Sequence, residues 1–185
     1  MSKLGKSPIS VKEVEAKLEE NIFKVKGPKG ELSLELPHNI SVEIDDKNKM
    51  LKVLSQGNST RSKQLHGTFR SLIANAVIGV SEGFKKKLVF KGVGYRAEVN
   101  GKKLILNIGY SHPVEFDIGE GVEIKIDSDK IDVFGIDKQL VGETAAKIRE
   151  IKIADSYKGH GLHYADEKLK LKPGKTAAKG AEESK

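Results

Sequence analysis

The pattern K-Q-L-x-G occurs twice in this sequence, at 63–67 and again at 138–142. Each copy opens a stretch in which apolar residues recur at helical spacing, and each follows segments in which apolar and polar residues alternate. Helical spacing predicts one buried helix face, and alternation predicts a sheet with one wet face. A chain that repeats this order is predicted to fold as two copies of one α+β module.

The patterns that flank the two copies correspond to one another. The predicted helices contain Leu65, Phe69, Leu72, Ile73, Ala76 and Val77 in the first half and Leu140, Thr144, Ile148 and Ile151 in the second. The predicted strands contain Leu32, Leu34, Leu36, Ile40, Val42, Ile44, Leu51 and Val53 in the first half and Leu104, Leu106, Ile108, Val122, Ile124, Ile126, Ile131 and Val133 in the second. A turn at 27–30 precedes Leu32, and Asn100 and Gly101, a strong hairpin signal, precede Leu104.

The sequence therefore predicts an α+β fold of two tandem duplicated domains, each a mostly antiparallel sheet packed with one main helix, plus a basic C-terminal extension. We place the domains at 1–82 and 83–152, with Gly83 as a helix stop, and the extension at 153–185. The segment 156–172 mixes aromatic residues with lysines and is predicted to be ordered. The remainder, 173–185, has no apolar anchor and is predicted to be disordered when free.

Composition excludes several classes of protein. The chain has 185 residues, of which 37% are hydrophobic, and no cysteine, which excludes disulfides, zinc ribbons and iron–sulfur sites. The chain contains no run of about 18 apolar residues, which is the length that predicts a membrane span. The first ten residues lack the apolar core of a secretory signal. We expect a cytoplasmic protein without a cofactor.

The net charge of +7 is spread unevenly along the chain. Residues 83–103 contain seven basic residues and one acidic residue, 104–146 contain three and nine, and 147–185 contain ten and six. Two basic blocks favour a polyanionic partner, although charged runs also occur simply as solvated faces. The acidic segment between them supports a second hypothesis, a protein-interaction scaffold that faces a basic partner.

The segment 92–97, GVGYRA, fits the pattern of a dinucleotide-binding loop. Such a loop requires a helix after it, whereas here a short strand and a hairpin turn follow. Two interpretations remain open. The segment is either a turn or bulge that needs glycine, or a place where Gly92 and Gly94 let the backbone approach a phosphate chain between Lys91 and Arg96.

The five histidines form no recognisable metal or catalytic pattern. Only His160 and His163 are close in sequence, with Asp166 beyond, and a metal site usually needs more ligands on a regular element. A small enzyme that uses His112 or His160 is a third hypothesis, and it would require a pocket of titratable groups with shifted pKa values. We expect no catalytic and no metal site.

Several motifs resemble the bacterial family of large-subunit ribosomal protein six. They are GPKGEL at 27–32, HGT at 66–68, VIGV at 77–80, EGF at 82–84, GVGYRA at 92–97, GYSHPV at 109–114 and YKG-x-G at 157–161. The likeness covers nearly the whole chain. It implies two duplicated α+β domains without enzymatic activity. It also implies binding to large-subunit rRNA, chiefly through the C-terminal domain, near the sarcin–ricin loop and the stalk base where translation factors dock.

The resemblance further implies that Tyr157, Lys158, Gly159 and Gly161 contact rRNA. The chain departs from the family pattern beside them. The approach at 152–156 lacks the usual proline and is less basic, and His160 stands where the family has a lysine. A histidine side chain carries less positive charge than a lysine side chain at neutral pH.

These observations predict a structural constituent of the large ribosomal subunit that supports subunit assembly and translation. Its expected partners are large-subunit rRNA and neighbouring ribosomal proteins near the stalk base, with no membrane and no small-molecule substrate. Lysines and Arg96 would meet phosphates, and aromatic rings would stack on sugar or base. The predicted rRNA-binding residues are Lys85, Lys86, Lys87, Lys91, Gly92, Gly94, Arg96, Ser111, His112, Tyr157, Lys158, Gly159, His160, Gly161, His163, Tyr164, Lys168, Lys170 and Lys172.

Overall fold

A computed structural model describes residues 7–11, 14–45, 48–57 and 59–172 of the chain. The predicted disordered tail at 173–185 lies outside these described residues. The chain divides into two compact units. The first comprises the residues up to Lys85 with 120–123 and 134–143, and the second comprises 86–119, 124–133 and the residues from Thr144 onward. The domain boundaries at 82 and 152 stay predictions.

The described residues before Glu82 form six strands and one long helix. They are β1 (Ile9–Ser10), β2 (Glu15–Glu19), β3 (Ile22–Gly27), β4 (Gly30–Glu35), β5 (Ile40–Asp45), β6 (Met50–Ser55) and α1 (Thr60–Ser81). Two antiparallel three-stranded sheets form, in the orders β1-β6-β5 and β2-β3-β4. Helix α1 packs against strands of both sheets. The core between them includes the fully buried Phe23, Leu51 and Ile73.

Helix α1 is capped at its start by a serine and ends at the predicted glycine. The Ser59 side chain accepts a hydrogen bond from the Ser62 backbone N–H at 3.1 Å, which caps the first turn. At the other end, the Gly83 N–H donates to the Ile78 carbonyl, and Gly83 adopts φ +76°. A glycine in this left-handed conformation is the usual stop of a helix. Gly83 is therefore confirmed as the residue that ends α1.

The element order after α1 repeats the order before it. The elements are β7 (Phe84–Lys91), β8 (Arg96–Asn100), β9 (Lys103–Asn107), β10 (Val114–Asp117), β11 (Val122–Asp127), β12 (Lys130–Gly135), α2 (Lys138–Ile151) and β13 (Gly161–Tyr164). One sheet has the order β10-β9-β8, and the other has the order β11-β12-β7-β13. Within the described chain, β11-β12-β7 therefore corresponds to β5-β6-β1, and β13 is an added fourth strand. The duplicated α+β fold is confirmed.

The buried face of α2 differs from the predicted one. Leu140 was expected in the core, yet 41% of its surface is exposed. Of the predicted residues Ile148 is buried, and Val141 and Ala145 are buried with it, at i, i+4 and i+7. Adjacent helical positions differ by roughly 100° around the axis. Shifting the apolar stripe by one residue therefore turns Leu140 towards solvent.

Gly142 offers a direct test of α2, because it lies inside the helix and a Cβ added there meets no atom within 4 Å. Glycine inside a helix costs roughly 0.5–1 kcal/mol relative to alanine. We expect Gly142→Ala to raise the free energy of unfolding by about that amount in urea denaturation followed by circular dichroism. Gly135→Ala is the control of opposite sign, since its Cβ would lie 2.7 Å from Val141 Cγ2 and 2.8 Å from the Gly121 carbonyl oxygen. A Gly142→Ala protein less stable than wild type would contradict this account.

Candidate nucleic-acid interface

Strands β7 and β13 bring two of the predicted motifs to one end of the four-stranded sheet. They pair antiparallel, with Gly161 opposite Lys91 and Tyr164 opposite Leu88. Residues 92–95 continue from the end of β7, and residues 155–160 lead into the start of β13. In an antiparallel pair, the end of one strand lies beside the start of the other. The GVGYRA and YKGHG motifs, distant in sequence, are therefore neighbours in space.

The GYSHPV motif joins them through Lys152, the residue after α2. The Lys152 Nζ atom lies 5.1 Å from the centre of the Tyr95 ring and 4.9 Å from that of Tyr110. It also donates a hydrogen bond to the Ile108 carbonyl oxygen at 2.5 Å. The Tyr110 hydroxyl donates to the Ile151 carbonyl oxygen at 2.8 Å. We call the surface formed by residues 91–96, 109–113 and 155–161 the loop surface.

The loop at 155–160 is closed by Asp155, although the chain lacks a proline there. The Asp155 N–H donates to the His160 carbonyl oxygen, and the Gly159 N–H donates to the Asp155 carbonyl oxygen, both at 2.9 Å. The Lys158 N–H donates to the Asp155 carboxylate at 3.1 Å. This last hydrogen bond lowers the pKa of Asp155 below its ordinary value. The loop that carries Tyr157 and Lys158 is thus held by its own hydrogen bonds.

Two glycines of the loop surface are required by the chain itself. A Cβ at Gly161 would lie 2.6 Å from Ala154 Cα, because Leu162 forms a parallel bridge to Ile153. A Cβ at Gly92 would lie 2.6 Å from the Tyr95 ring. Of the two interpretations of 92–97, a turn that requires glycine is therefore sufficient to explain Gly92. Close approach of these glycines to a phosphate stays a prediction.

The loop surface presents cations that the chain leaves available. The side chains of Lys91, Arg96 and Lys158 are exposed and make no ion pair with any residue that the structure describes. Val93, at the tip of the 92–95 turn, is 94% exposed, and Tyr157 is 59% exposed. The surface therefore offers positive charge together with exposed aromatic and aliphatic groups.

Lys172 returns the chain to this surface. Its N–H donates to the Ser156 carbonyl oxygen at 2.8 Å, and its Nζ atom lies 5.9 Å from the centre of the Tyr157 ring. The segment between β13 and Lys172 therefore folds back onto the loop at 155–160. Of the other predicted residues, Ser111, His112, Lys168 and Lys170 are exposed, whereas His160 and His163 are half-buried.

The three lysines of Lys85–Lys87 lie away from the loop surface, at the start of β7. At about 3.3 Å per residue, Lys86 is roughly 17 Å along the strand from Lys91. Side chains alternate along a strand, and Lys86 contacts Asp166 at 3.6 Å while Lys85 lies over the Phe134 ring at 4.5 Å. Lys85, Lys86, Lys87 and Tyr164 are therefore separated along β7 and β13 from the loop surface.

Tyr164 has a role within the chain that sequence reasoning missed. Both Lys86, at 5.4 Å, and Arg149, at 5.5 Å, lie over its ring. Arg149 also forms a two-pronged ion pair with Glu167, at 2.8 Å from Nη2 to Oε1 and 3.2 Å from Nε to Oε2. These contacts fasten the segment after β13 to helix α2. Base stacking by Tyr164 stays a prediction, and it would have to displace or share these cations.

The Arg149–Glu167 pair makes part of the stability depend on pH. The hydrogen bond from Arg149 lowers the pKa of Glu167 below its ordinary value, so the unfolded state binds a proton more readily than the folded state. The pair's contribution is therefore complete above the unfolded pKa, near ~4.3, and is lost as the pH falls through the lower folded value.

We expect Glu167→Gln to cost about 0.5 kcal/mol at pH 7, because 29% and 31% of the two side chains remain exposed. The midpoint of thermal unfolding should then fall less steeply below pH 5 in the variant than in wild type. Glu150→Gln, at an exposed position of α2, is the control. Identical pH profiles for wild type and Glu167→Gln would contradict the assignment.

The described residues contain no group of three or more His, Asp or Glu side chains arranged to hold a metal ion. Nor does that part of the chain contain a helix long and apolar enough to cross a bilayer.

Two segments of the chain, residues 11–83 and 91–165, each match the family model of ribosomal protein L6. The chain belongs to the ribosomal protein L6 family. Each matched segment of this L6-family chain contains one copy of K-Q-L-x-G. The second match extends to residue 165, so strand β13 belongs to the family pattern and is not peculiar to this chain.

Three relatives illustrate the similarity across the L6 family, each named large ribosomal subunit protein uL6. That of Thermodesulfovibrio yellowstonii is 50% identical over 182 residues, covering 97% of this chain and 100% of the relative. That of Persephonella marina is 46% identical over 181 residues, covering 97% and 100%. That of Deinococcus deserti is 46% identical over 187 residues, covering 100% of both. The L6 family consists of structural ribosomal proteins and not of enzymes.

Sequence reasoning did not assign the residues that hold the loop surface together in this L6-family protein. Lys152, Tyr95 and Tyr110 were part of recognised motifs or their flanks, but their contact depends on pairings distant in sequence. One available signal was the tyrosine that follows glycine closely in both GVGYRA and GYSHPV. A second was a lone lysine directly after α2, where a cation suits the end of a helix.

Proposed function

We propose that this protein binds large-subunit rRNA through the loop surface of its second unit, close to the sarcin–ricin loop and the region where translation factors dock. Its membership of the ribosomal protein L6 family makes it a structural constituent of the large ribosomal subunit, and so of the cytoplasmic ribosome. The proposal adds which face of the protein meets rRNA and which part of the rRNA it meets.

The observation that carries the proposal is the convergence of three motifs on one face. Strand β7 pairs antiparallel with β13, and Lys152 contacts Tyr95 and Tyr110. These contacts bring together segments that are distant in sequence. The face exposes Lys91, Arg96 and Lys158 without ion-pair partners among the described residues. Cations of this kind neutralise phosphates and supply most of the affinity for a nucleic acid.

The exposed Tyr157 provides the second element of an RNA-binding face. An aromatic ring can stack on an unpaired base or pack against a ribose, a contact worth roughly 1–3 kcal/mol per base. Lys172 lies over this ring, so stacking and phosphate contact would occur side by side. The Lys85–Lys87 group would form a second, separate contact with the phosphate backbone.

We also propose that this protein contacts neighbouring large-subunit proteins near the stalk base. The support is the acidic segment 104–146, in which Asp117, Glu123, Asp127 and Asp129 are exposed. Exposed carboxylates repel rRNA phosphates and favour basic protein neighbours.

Hydroxyl-radical footprinting of protein-free large-subunit rRNA, with and without the purified protein, tests the proposal. We expect protection of backbone positions in and next to the sarcin–ricin loop. A variant with Lys91, Arg96 and Lys158 changed to alanine should lose that protection. Protection confined to other parts of the rRNA would refute the location, and equal protection by the variant would refute the face.

A further inference from the structure

Lys152 is exposed enough to meet a ligand, yet its cation is already used inside the chain. It is half-buried, lies over the rings of Tyr95 and Tyr110, and donates to the Ile108 carbonyl oxygen. A lysine ammonium has three N–H donors and no acceptor. The Ile108 carbonyl oxygen accepts a hydrogen bond from one of these N–H groups, and the faces of the Tyr95 and Tyr110 rings stabilise the positive charge.

We infer that Lys152 is a positioning residue for RNA binding, which sets the 92–95 turn and the 109–113 loop in the geometry that rRNA meets. This inference rests on the proposed function. The two segments belong to different strand connections, one joining β7 to β8 and the other joining β9 to β10. Lys152 contacts both, through Tyr95 in the turn and through Tyr110 in the loop. The Tyr110 hydroxyl strengthens the same connection by its bond to Ile151.

The packing around the ammonium shows how closely these parts fit. A Cβ at Gly109 would lie 3.3 Å from Lys152 Nζ and 3.4 Å from the Tyr95 ring, so this glycine lets lysine and ring approach together. A Cβ at Gly92 would lie 2.6 Å from Cε2 and Cζ of the same ring. Tyr95 is therefore confined between two glycines and the lysine. The backbone of Gly94 and Arg96, which flank Tyr95 in the chain, is held in place with it.

Preorganisation is the physical reason for such an arrangement. A mobile turn must be immobilised when it binds, and each rotamer-rich side chain that is ordered costs roughly 0.5–1.5 kcal/mol. A turn held in place before binding avoids that cost. Lys152 would therefore raise affinity without touching a phosphate, in contrast to Lys91 or Lys158.

The experiment compares Lys152→Met with Lys130→Met on the full-length protein. Methionine keeps an unbranched side chain and removes the charge. Lys130 is an exposed lysine at the start of β12, outside the loop surface, so both variants lose one positive charge. We expect Lys152→Met to weaken binding to protein-free large-subunit rRNA about 10-fold, and Lys130→Met less than about 2-fold. Amide hydrogen exchange of residues 92–95 in the free protein should accelerate about 10-fold in Lys152→Met alone.

A double-mutant cycle separates positioning from direct contact. If Lys152 acts by holding the turn, Arg96→Ala should weaken binding less in the Lys152→Met background than in wild type, because residues that share one structural unit are not additive. Additive effects, or unaltered exchange at 92–95, would overturn the inference and indicate an ordinary phosphate contact. Tyr110→Phe, which removes only the hydroxyl bond to Ile151, supplies a milder variant with about a 3-fold expected loss if Lys152→Met does not fold.

The proposed function and this inference fail in different ways. Failure of the wild-type protein to bind rRNA refutes the proposed function and the inference with it. Wild-type binding that Lys152→Met reproduces, with the turn equally protected from exchange, refutes only the role of Lys152.

Discussion

Gly161→Ala should lower the free energy of unfolding by roughly 3 kcal/mol. Gly161 adopts φ +139°, a conformation that residues with a Cβ rarely reach. The added Cβ would lie 2.6 Å from Ala154 Cα and 2.7 Å from the Ile153 carbonyl oxygen, both part of the backbone. Neither atom can move without breaking the bridge between Ile153 and Leu162, whose side chain is fully buried.

Gly94→Ala is the matched control for this substitution. Gly94 also has a positive φ, +75°, but a Cβ there meets no atom within 4 Å. Only backbone strain then remains, at roughly 1–2 kcal/mol. Urea denaturation followed by tyrosine fluorescence measures both variants, since the chain contains no tryptophan. Equal losses in the two variants would show that the contact with Ala154 is relaxed at little cost and would contradict the prediction.

The fold could be predicted from the sequence because its signals are local and occur twice. Alternation placed the strands that contain Ile40 and Val122, and Gly83 marked the end of α1. The buried face of α2 was assigned one residue away, since Leu140 and Val141 are both apolar and spacing alone does not decide between them. Local patterns specify which element forms, but they do not fix the exact rotation of a helix about its own axis.

The fourth strand could not be predicted from local patterns. Gly161–Tyr164 contains one glycine and one histidine, and its residues do not alternate in polarity. No local pattern therefore predicts a strand there. It forms because β7 offers a free edge and because Leu162 has a buried site to fill. Both conditions depend on residues far away in sequence. Ordering of 156–172 could be foreseen from composition, but its position in the sheet could not.

The same limit applies to the candidate interface. The motifs that contain Gly92, His112 and Lys158 were each recognised, and cationic residues near glycines suggested phosphate contact. Their meeting at one end of the sheet depends on strand register, and their alignment depends on Lys152. Lys85–Lys87 were grouped with them by charge alone, and the structure places these lysines at the other end of β7. Charge along a sequence therefore predicts the class of partner better than it predicts the contact surface.

Replacing Lys91, Arg96 and Lys158 together with alanine should weaken rRNA binding roughly 100-fold near 0.1 M salt. Three exposed cations that each contact one phosphate contribute about 1 kcal/mol apiece, and 1.4 kcal/mol corresponds to a factor of 10. The slope of log affinity against log salt concentration should become shallower by two to three units, because about 0.9 is lost per duplex phosphate contact and about 0.7 per single-stranded one. Filter binding of labelled large-subunit rRNA over a salt series measures both quantities.

The control changes the same charge on another part of the molecule. Lys17, Lys26 and Lys52 are exposed on strands of the first unit, and their replacement by alanine also removes three positive charges. If affinity came from overall charge, both triple variants would bind equally weakly and their salt slopes would match. If the loop surface makes the contacts, only the variant without Lys91, Arg96 and Lys158 should show a shallower slope of log affinity against log salt concentration. The slope decides more firmly than the affinity, because a loss through misfolding lowers the fraction of active protein without changing how the remaining complexes depend on salt.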